Sequence, residues 1–101
     1  MKKLWVDDER PAPDETWDVA KTAEAALEAI RVTEYDIVSL DYVLIGWESG
    51  FDVALAMDKY DRWPTAQLRI HTSSYQGAYQ IEEFVNGANP TLEVVRATVD
   101  R

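Results

Sequence analysis

The segment Tyr35-Asp36-Ile37-Val38-Ser39-Leu40-Asp41 decides the fold of this chain. Ile37, Val38 and Leu40 form a short, partly β-branched apolar run, which predicts a buried strand. The carboxylate of Asp41 follows that strand directly. Because ligands bind outside the carboxyl ends of the strands in open α/β sheets, Asp41 is expected at the edge of the sheet where chemistry is carried out.

The length, composition and charge of the chain limit its class. With 101 residues, of which 47% are hydrophobic, the sequence predicts one packed domain spanning residues 1–101. The formal net charge of −9 disfavours sequence-specific DNA binding and binding to anionic membranes. No apolar run approaches the length of a signal-peptide core or a membrane span. We therefore expect a cytoplasmic protein whose acidic surface accommodates a cation or a basic protein partner.

Strand and helix patterns alternate on both sides of the central segment. Before it we predict a strand over residues 4–6, a loop at Pro11 and Pro13, a short edge strand over 17–20 and a helix from the N-cap Thr22 to about Arg31. After it we predict a helix from Gly50 or Phe51 to about Tyr60, a strand over 67–71, a polar loop over 72–77 and a helix over 78–86 with Gly87 at its C′ position. Residues 92–99 favour a last strand, and a helix capped at Asn89-Pro90 is the alternative. With short, right-handed connections, this order predicts a mostly parallel sheet covered by helices.

Polar side chains close three of the predicted strands. Asp7 and Asp8 close the first strand, Asp41 the third, and His71-Thr72-Ser73 the fourth. In a parallel sheet these ends face one edge, where three carboxylates repel one another unless a hard cation joins them. The cluster therefore predicts a Mg²⁺ or Mn²⁺ site formed by Asp7, Asp8 and Asp41. The alternative is that each carboxylate is a solvated loop residue or a helix cap.

Other side chains at this edge suit a ligand that carries a phosphate. Arg10 can clamp a phosphate through two N–H groups, and the hydroxyls of Thr72 and Ser73 can donate to phosphoryl oxygens. Asp41 and His71 are the candidate catalytic residues, with His71 as a general acid or base. The alternatives are a purely structural, hydrogen-bonded His71 and an Arg10 that only pairs with Asp8 or Glu9.

These residues resemble the pocket of response-regulator receiver domains, with Thr72 matching the hydroxyl residue that ends their fourth strand. The resemblance implies a flavodoxin-like parallel sheet of about five strands in the order 2-1-3-4-5, with Mg²⁺ in the pocket and Asp41 as phosphoacceptor. Receivers also keep a lysine at the end of their fifth strand, and no lysine follows Lys59 in this chain. The loop at Pro11 and Pro13 takes the place of their first helix. We therefore expect reduced helices, with the first and last receiver helices missing or shortened.

A closer resemblance is to the cyclic-phosphate processing receiver domain family. It covers roughly residues 2–85 and is carried by Leu4-Trp5-Val6-Asp7-Asp8-Glu9-Arg10-Pro11, by Ser39-Leu40-Asp41, and by His71-Thr72 with Gly77. Members come from bacteria and phages, which implies such a source for this chain. The resemblance also implies processing of cyclic phosphates on nucleotides or RNA ends.

The chain departs from this family after its third strand. The family has Asp-His-Asp there, whereas this chain has Asp41-Tyr42-Val43, and Ser74-Tyr75 stands where the family has Asn-Pro. A site of three carboxylates survives these changes, but His71 is the one group left to titrate near neutral pH. The implied activity is therefore either metal-dependent hydrolysis of a cyclic phosphate or, in a degenerate member, binding without turnover.

Three functions follow from these observations. The leading hypothesis is a domain that binds a divalent metal and a phosphate-bearing small molecule or RNA end. The second is a non-catalytic acidic module, such as a phage-encoded inhibitor, that binds a protein through the apolar loop over residues 42–47, with Trp47 as a contact. The third is a phosphoacceptor receiver, which the missing lysine disfavours. The oligomeric state is left open, a homodimer through that loop or the last strand being one alternative.

Overall fold

The computed structural model of the chain describes residues 1–46 and 48–97. In these residues five strands and three helices follow one another as β1 (Lys3–Val6), β2 (Trp17–Ala20), α1 (Ala23–Val32), β3 (Ile37–Leu40), α2 (Gly50–Lys59), β4 (Gln67–Ile70), α3 (Tyr75–Ala88) and β5 (Glu93–Arg96). None of these helices is long and apolar enough to cross a membrane.

The strands form one parallel sheet in the order β2-β1-β3-β4-β5, which confirms the predicted order. The strand β3 lies at its centre, and all of its residues are buried. This burial on both faces explains why the central segment is continuously apolar instead of alternating. Every crossover after β2 carries a helix, whereas β1 and β2 are joined by a loop without one.

All three helices pack on the same face of the sheet. Their buried residues form one core with the inward residues of the strands, such as Leu4, Leu40 and Ile70. The helix α2 begins with a capping box, in which the side chains of Ser49 and Asp52 each bind the other residue's backbone N–H. The predicted starts of α1 and α2 are therefore confirmed at their caps.

The opposite face of the sheet carries no helix among the residues that the structure describes. A smaller cluster of Trp5, Trp17 and Ile37 lies there, and Ala12 from the loop between β1 and β2 packs against it. The two indole rings meet edge to face, with 5.7 Å between their centroids. The missing first helix is thus confirmed. The expected position of the last helix falls beyond Ala97, outside the described residues.

The helix α3 differs from its prediction at both ends. It begins at Tyr75 instead of Ala78, because Ser74 supplies the N-cap by accepting a hydrogen bond from the Gly77 backbone. It also runs through Gly87, which was wrongly predicted at the C′ position, and ends at the cap residue Asn89. The proline that follows Asn89 disfavours helical backbone at that residue, so it stops the helix where the glycine does not.

The last strand, β5, confirms the strand prediction for Glu93–Arg96 against the helix alternative. The part of that prediction that reached Val99 falls outside the described residues. In the preceding strand, β4, the regular pairing ends at Ile70, so His71 lies just past the strand end.

A glycine holds α2 against the end of β3. The backbone N–H of Gly50 donates to the carbonyl of Tyr42 over 2.9 Å. A Cβ atom at Gly50 would overlap the carbonyl oxygen of Asp41, which belongs to the backbone and cannot rotate away. Gly50 is therefore required for the close approach that places α2 beside Asp41.

We expect Gly50→Ala to lower the free energy of unfolding by about 1–3 kcal/mol, because the added methyl group must push α2 off the strand end. Gly87→Ala is the matched control. Gly87 also lies in a helix, and nothing lies within 4 Å of the Cβ it would gain. That change should stabilise the protein by about 0.5–1 kcal/mol. Urea unfolding followed by tryptophan fluorescence measures both, and equal effects of the two substitutions would contradict the role of Gly50.

Candidate functional site

The three predicted metal ligands lie together at the carboxyl edge of the sheet. One oxygen from each of Asp7, Asp8 and Asp41 lies within 4.8 Å of the other two. The sheet register explains this, because Val6 and Leu40 are paired neighbours and the next residue of each strand emerges at the same edge. The Asp41 backbone also donates to the Val6 carbonyl over 3.0 Å, which continues the pairing past the strand ends.

Asp7 is the most enclosed of the three carboxylates, with 1% of its surface exposed. Its Oδ1 accepts hydrogen bonds from the backbone N–H groups of Glu9 (2.8 Å) and Arg10 (3.0 Å). Its Oδ2 accepts a bond from His71 Nε2 over 2.9 Å. Burial alone would raise the pKa of Asp7, but these hydrogen bonds outweigh it and hold the pKa below its usual value. Asp7 is therefore ionised at neutral pH.

Arg10 bridges two of the carboxylates. Its Nη1 lies 3.4 Å from Asp7 Oδ2 and 3.2 Å from Asp41 Oδ2. Its Nε is buried and has no hydrogen-bond partner. Its backbone carbonyl accepts a bond from the indole N–H of Trp5 over 2.9 Å, which fixes the turn after β1. The structure thus pairs Arg10 with Asp7 and Asp41, and not with Asp8 or Glu9.

His71 lies behind Asp7, with 2% of its surface exposed. Its Nδ1 lies 2.6 Å from Ser39 Oγ, and its ring stacks on Trp5 with centroids 3.7 Å apart. Burial lowers the pKa of His71, and the neighbouring Asp7 only partly offsets this. The neutral imidazole accepts at Nδ1 from the Ser39 hydroxyl and donates from Nε2–H to Asp7. Ser39 is fully buried, so this Ser–His–Asp series exposes no nucleophile.

The two predicted hydroxyl groups lie in different surroundings. Thr72 is half-buried, and its Oγ1 accepts a hydrogen bond from the Ser74 backbone over 3.1 Å in the turn before α3. Ser73 is exposed and lines an open cleft of about 600 Å³ at the carboxylates. The other residues that line this cleft are Asp8, Glu9, Arg10, Asp41, Val43, Leu44 and Ile45. Ser73 therefore shares the cleft with Arg10 and Asp41, and Thr72 does not line it.

In the loop after β3, Tyr42 packs against α3, whereas Val43 and Ile45 lie beside the cleft. The ring of Tyr42 packs against Gly77, where a side chain of any size would overlap it, and its hydroxyl donates to Gln80 over 3.2 Å. Val43 and Ile45 are 61% and 64% exposed beside the cleft. Trp47, the predicted contact residue, falls outside the described residues.

As far as the structure describes it, to Ala97, the end of β5 supplies no cation to the site. Arg96 closes that strand, and its guanidinium pairs with Glu82 at 2.7 Å and lies over the ring of Tyr75. Among the described residues, the basic group that pairs with Asp41 comes instead from the loop after β1, as Arg10.

Sequence reasoning missed two residues that support the site, Ser39 and Trp5. Ser39 is the one polar residue in the apolar run of β3, and this irregularity was a usable signal. Trp5 was visible as a large residue two positions before Asp7 on the same side of the strand. Nothing in the sequence shows that its ring reaches across the sheet to His71.

Comparisons with known proteins agree on the fold. The family model described as the cyclic-phosphate processing Receiver domain matches residues 2–87. A search of curated proteins gives no significant match.

Three solved receiver structures resemble this fold. The receiver domain of Francisella response regulator 1452 matches with a TM-score of 0.65 and 18% identity, over 94% of this chain and 82% of that chain. The signal receiver domain of a Luxo repressor protein from Vibrio parahaemolyticus matches with a TM-score of 0.63 and 23% identity, over 94% of this chain and 76% of that chain. A response regulator from Burkholderia pseudomallei matches with a TM-score of 0.63 and 20% identity. That structure was solved with a phosphorylated aspartic acid, calcium ion and citrate. The match covers 94% of this chain and spans 58% of that regulator. At these identities the likeness shows the fold alone.

The depressed pKa of His71 predicts a pH dependence of stability in the metal-free protein. Because the pKa of this group is lower in the folded chain than its usual 6.5, the unfolded chain takes up the proton first as the pH falls. The contribution of neutral His71 to the free energy of unfolding is complete above pH 6.5. It is lost as the pH falls from 6.5 towards the lower pKa of the folded state, by at most about 1.4 kcal/mol per pH unit. Urea unfolding in EDTA between pH 7 and pH 5 measures this slope.

The matched variant is His71→Asn, which keeps a polar side chain but cannot titrate. We expect it to be less stable than the wild type at pH 7, because Asp7 loses a hydrogen bond, and to lose less stability on acidification. Parallel curves for the two proteins would show that His71 does not titrate differently in the folded state.

Proposed function

The chain belongs to the cyclic-phosphate processing receiver domain family, and from this premise and the site we propose that it binds a divalent metal ion together with a phosphate-bearing ligand. One observation carries the proposal: oxygens of Asp7, Asp8 and Asp41 converge within 4.8 Å of one another. Beside them lies a cleft that Arg10 and Ser73 also line. The ligand class that the family implies is a cyclic phosphate on a nucleotide or an RNA end.

The donor set fits Mg²⁺ or Mn²⁺. These ions prefer oxygen ligands and are held in proteins by a few carboxylates, with water and substrate oxygens completing the coordination. Asp7, Asp8 and Asp41 would hold the ion, and the hydrogen bonds that keep the pKa of Asp7 low keep its carboxylate ready to bind. A bound ion would supply charge neutralisation and polarisation at a phosphoryl group.

The chain's own groups would then contact the phosphate. Arg10 offers a planar guanidinium with several N–H donors, which suits two phosphoryl oxygens at once. Ser73 lies exposed at the same cleft and donates through its hydroxyl. Thr72 accepts from the Ser74 backbone, which leaves its hydroxyl proton to donate to a ligand that reaches the turn.

Hydrolysis of a cyclic phosphate would place different demands on Asp41 and His71. Water forms a new P–O bond, one ring P–O bond breaks, and the proton of the water passes to the leaving oxygen. Asp41 lines the cleft and would accept or relay that proton. His71 is enclosed behind Asp7, so it would act through that carboxylate by holding its Oδ2 in place.

We expect Mn²⁺ and Mg²⁺ to bind saturably at micromolar to millimolar concentrations, with a change in tryptophan fluorescence. Trp5 stacks on His71, which binds Asp7, so its emission should report ligation at this carboxylate. Asp41→Asn removes one of the three charged ligands and should weaken binding at least tenfold, on the order of 1.4 kcal/mol. Isothermal titration calorimetry gives the affinities.

The matched control for Asp41→Asn is Asp58→Asn. Asp58 is exposed near the far end of α2, and its loss changes the net charge by the same amount. This control should bind metal like the wild type. Absence of binding to the wild type at 10 mM metal would refute the metal proposal. With binding established, adenosine and cytidine 2′,3′-cyclic phosphates and an RNA 2′,3′-cyclic phosphate end are the ligands to assay for affinity and ring opening.

A second candidate function is protein binding through the apolar rim of the cleft, which the exposure of Val43 and Ile45 favours. Leu44 between them is buried and belongs to the core, so it is not a contact residue. Apolar side chains this exposed at one site suit a protein interface. A partner that binds here needs neither a metal nor Asp41.

Under this second function, Val43→Ser with Ile45→Ser should abolish capture of a partner in pull-downs, whereas Asp41→Asn should retain it. Val19→Ser is the control, because Val19 is 51% exposed at the edge strand β2 and away from the rim. Equal capture by the rim variant and the wild type would rule the rim out as the interface.

A further inference from the structure

Arg10 occupies the position of a counter-ion between two of the carboxylates that would hold a metal. We propose that Arg10 is an internal competitor of the divalent cation, which leaves Asp7 and Asp41 when they bind metal and then turns to the phosphate of the ligand. This inference rests on the proposed function. It makes Arg10 the residue that couples metal binding to phosphate binding.

The present contacts of Arg10 are suited to exchange. Its Nη1 lies 3.2 Å from Asp41 Oδ2 and 3.4 Å from Asp7 Oδ2. Strong charge-assisted hydrogen bonds are shorter, at about 2.7–2.9 Å, and the best arginine–carboxylate pairs use two nitrogens. Here one nitrogen serves both carboxylates, and the buried Nε has no partner at all. A buried donor without a partner destabilises this arrangement, so the guanidinium gains a hydrogen bond when it moves to a suitable acceptor.

Competition follows from the shared carboxylates. Arg10 now neutralises Asp7 and Asp41, and both belong to the cluster whose oxygens lie within 4.8 Å of one another. A guanidinium and a divalent cation on the same carboxylates would repel each other strongly at this range. The guanidinium must therefore leave Asp7 and Asp41 before both carboxylates can bind the metal ion with their full negative charge.

The backbone around Arg10 confines this movement to the side chain. The Arg10 N–H donates to Asp7 Oδ1 over 3.0 Å, and its carbonyl accepts from the Trp5 indole over 2.9 Å. The side chain is 20% exposed and already lines the cleft with Ser73. A rotation about its own bonds is therefore enough to bring the guanidinium from the carboxylates to an anion in the cleft.

The opposite interpretation is that Arg10 is a fixed structural ion pair that shapes the carboxylates for the metal. The two interpretations differ in the sign of one effect. If Arg10 competes, its removal tightens metal binding, and if it shapes the site, its removal weakens metal binding. Removal should weaken phosphate binding in both cases, so metal affinity alone is the deciding measurement.

The test is calorimetric titration of Mn²⁺ into the wild type, Arg10→Gln and Arg31→Gln. Arg31 is an exposed residue of α1 that pairs with Glu28, so Arg31→Gln removes one positive charge without touching the site. We expect Arg10→Gln to bind Mn²⁺ roughly tenfold more tightly than Arg31→Gln, as loss of one directly competing charge allows. Arg10→Met, which also removes the charge and keeps much of the side-chain length, gives the same comparison with Arg31→Gln if the glutamine variant does not fold by circular dichroism.

The second arm of the test measures inorganic phosphate binding in saturating Mg²⁺. The wild type should bind phosphate in Mg²⁺ but at least tenfold more weakly in EDTA, and Arg10→Gln should lose most of that gain. Equal phosphate affinity with and without Mg²⁺, or in the wild type and Arg10→Gln, would overturn the coupling.

The outcomes separate this inference from the function on which it rests. Mn²⁺ affinity of Arg10→Gln that equals or falls below that of Arg31→Gln overturns the competitor role, while metal binding that is lost in Asp41→Asn still supports the proposed function. Binding to Arg10→Gln that is far more than tenfold tighter, with binding to the wild type measurable only near 10 mM Mn²⁺, supports the competitor role in its strongest form. No metal binding to either protein overturns both.

Discussion

The structure of this domain depends on the burial of one carboxylate, Asp7, at the end of β1. A buried ionised carboxylate is costly unless hydrogen bonds and positive charge satisfy it. Here the turn after β1 directs two backbone N–H groups at Asp7, His71 donates from the end of β4, and Arg10 supplies charge. These partners come from both sides of β3. The hydrogen bonds and ion pair of Asp7 therefore join the end of β1, the loop after β1 and the end of β4 into a single site.

The missing first helix and the site are parts of the same arrangement. In the described residues all helices cover one face of the sheet, and the loop between β1 and β2 partly covers the other. That loop contains Arg10 and accepts the indole N–H of Trp5, whose ring in turn lies flat against His71. The aromatic stack excludes water from the rear of Asp7 and strengthens its hydrogen bonds. The loop and the aromatic stack that it contacts therefore enclose Asp7 on the face of the sheet that carries no helix in the described residues.

Local patterns predicted a mostly parallel sheet, the capped starts of α1 and α2 and the convergence of Asp7, Asp8 and Asp41 at one edge, because periodicity and caps act over a few residues. The strand order came from the resemblance to receiver domains and not from these patterns. The errors at the ends of α3 arose where two local signals compete, and the surroundings of His71 were missed because distant residues form them. Gly87 stays helical because Asn89 and Pro90 provide the stop, and α3 starts early because Ser74 caps it. The surroundings of His71 depend on Ser39 and Trp5, which lie 32 and 66 residues earlier in the chain and meet it only in the folded sheet.

In the described residues, the basic group beside Asp41 is Arg10, which follows β1. The resemblance to receiver domains implies a lysine at the end of the fifth strand, whereas in the described part of this chain Arg96 ends β5 and pairs with Glu82. The positive charge comes instead from Arg10 on the opposite side of the site, and it already bridges Asp41 to Asp7. A phosphoryl group on Asp41 would convert that side chain to an acyl phosphate, so Asp41 would no longer serve as a free carboxylate ligand. Under the proposed function, a phosphate that arrives as a separate ligand leaves all three carboxylates ionised and gains the guanidinium of Arg10.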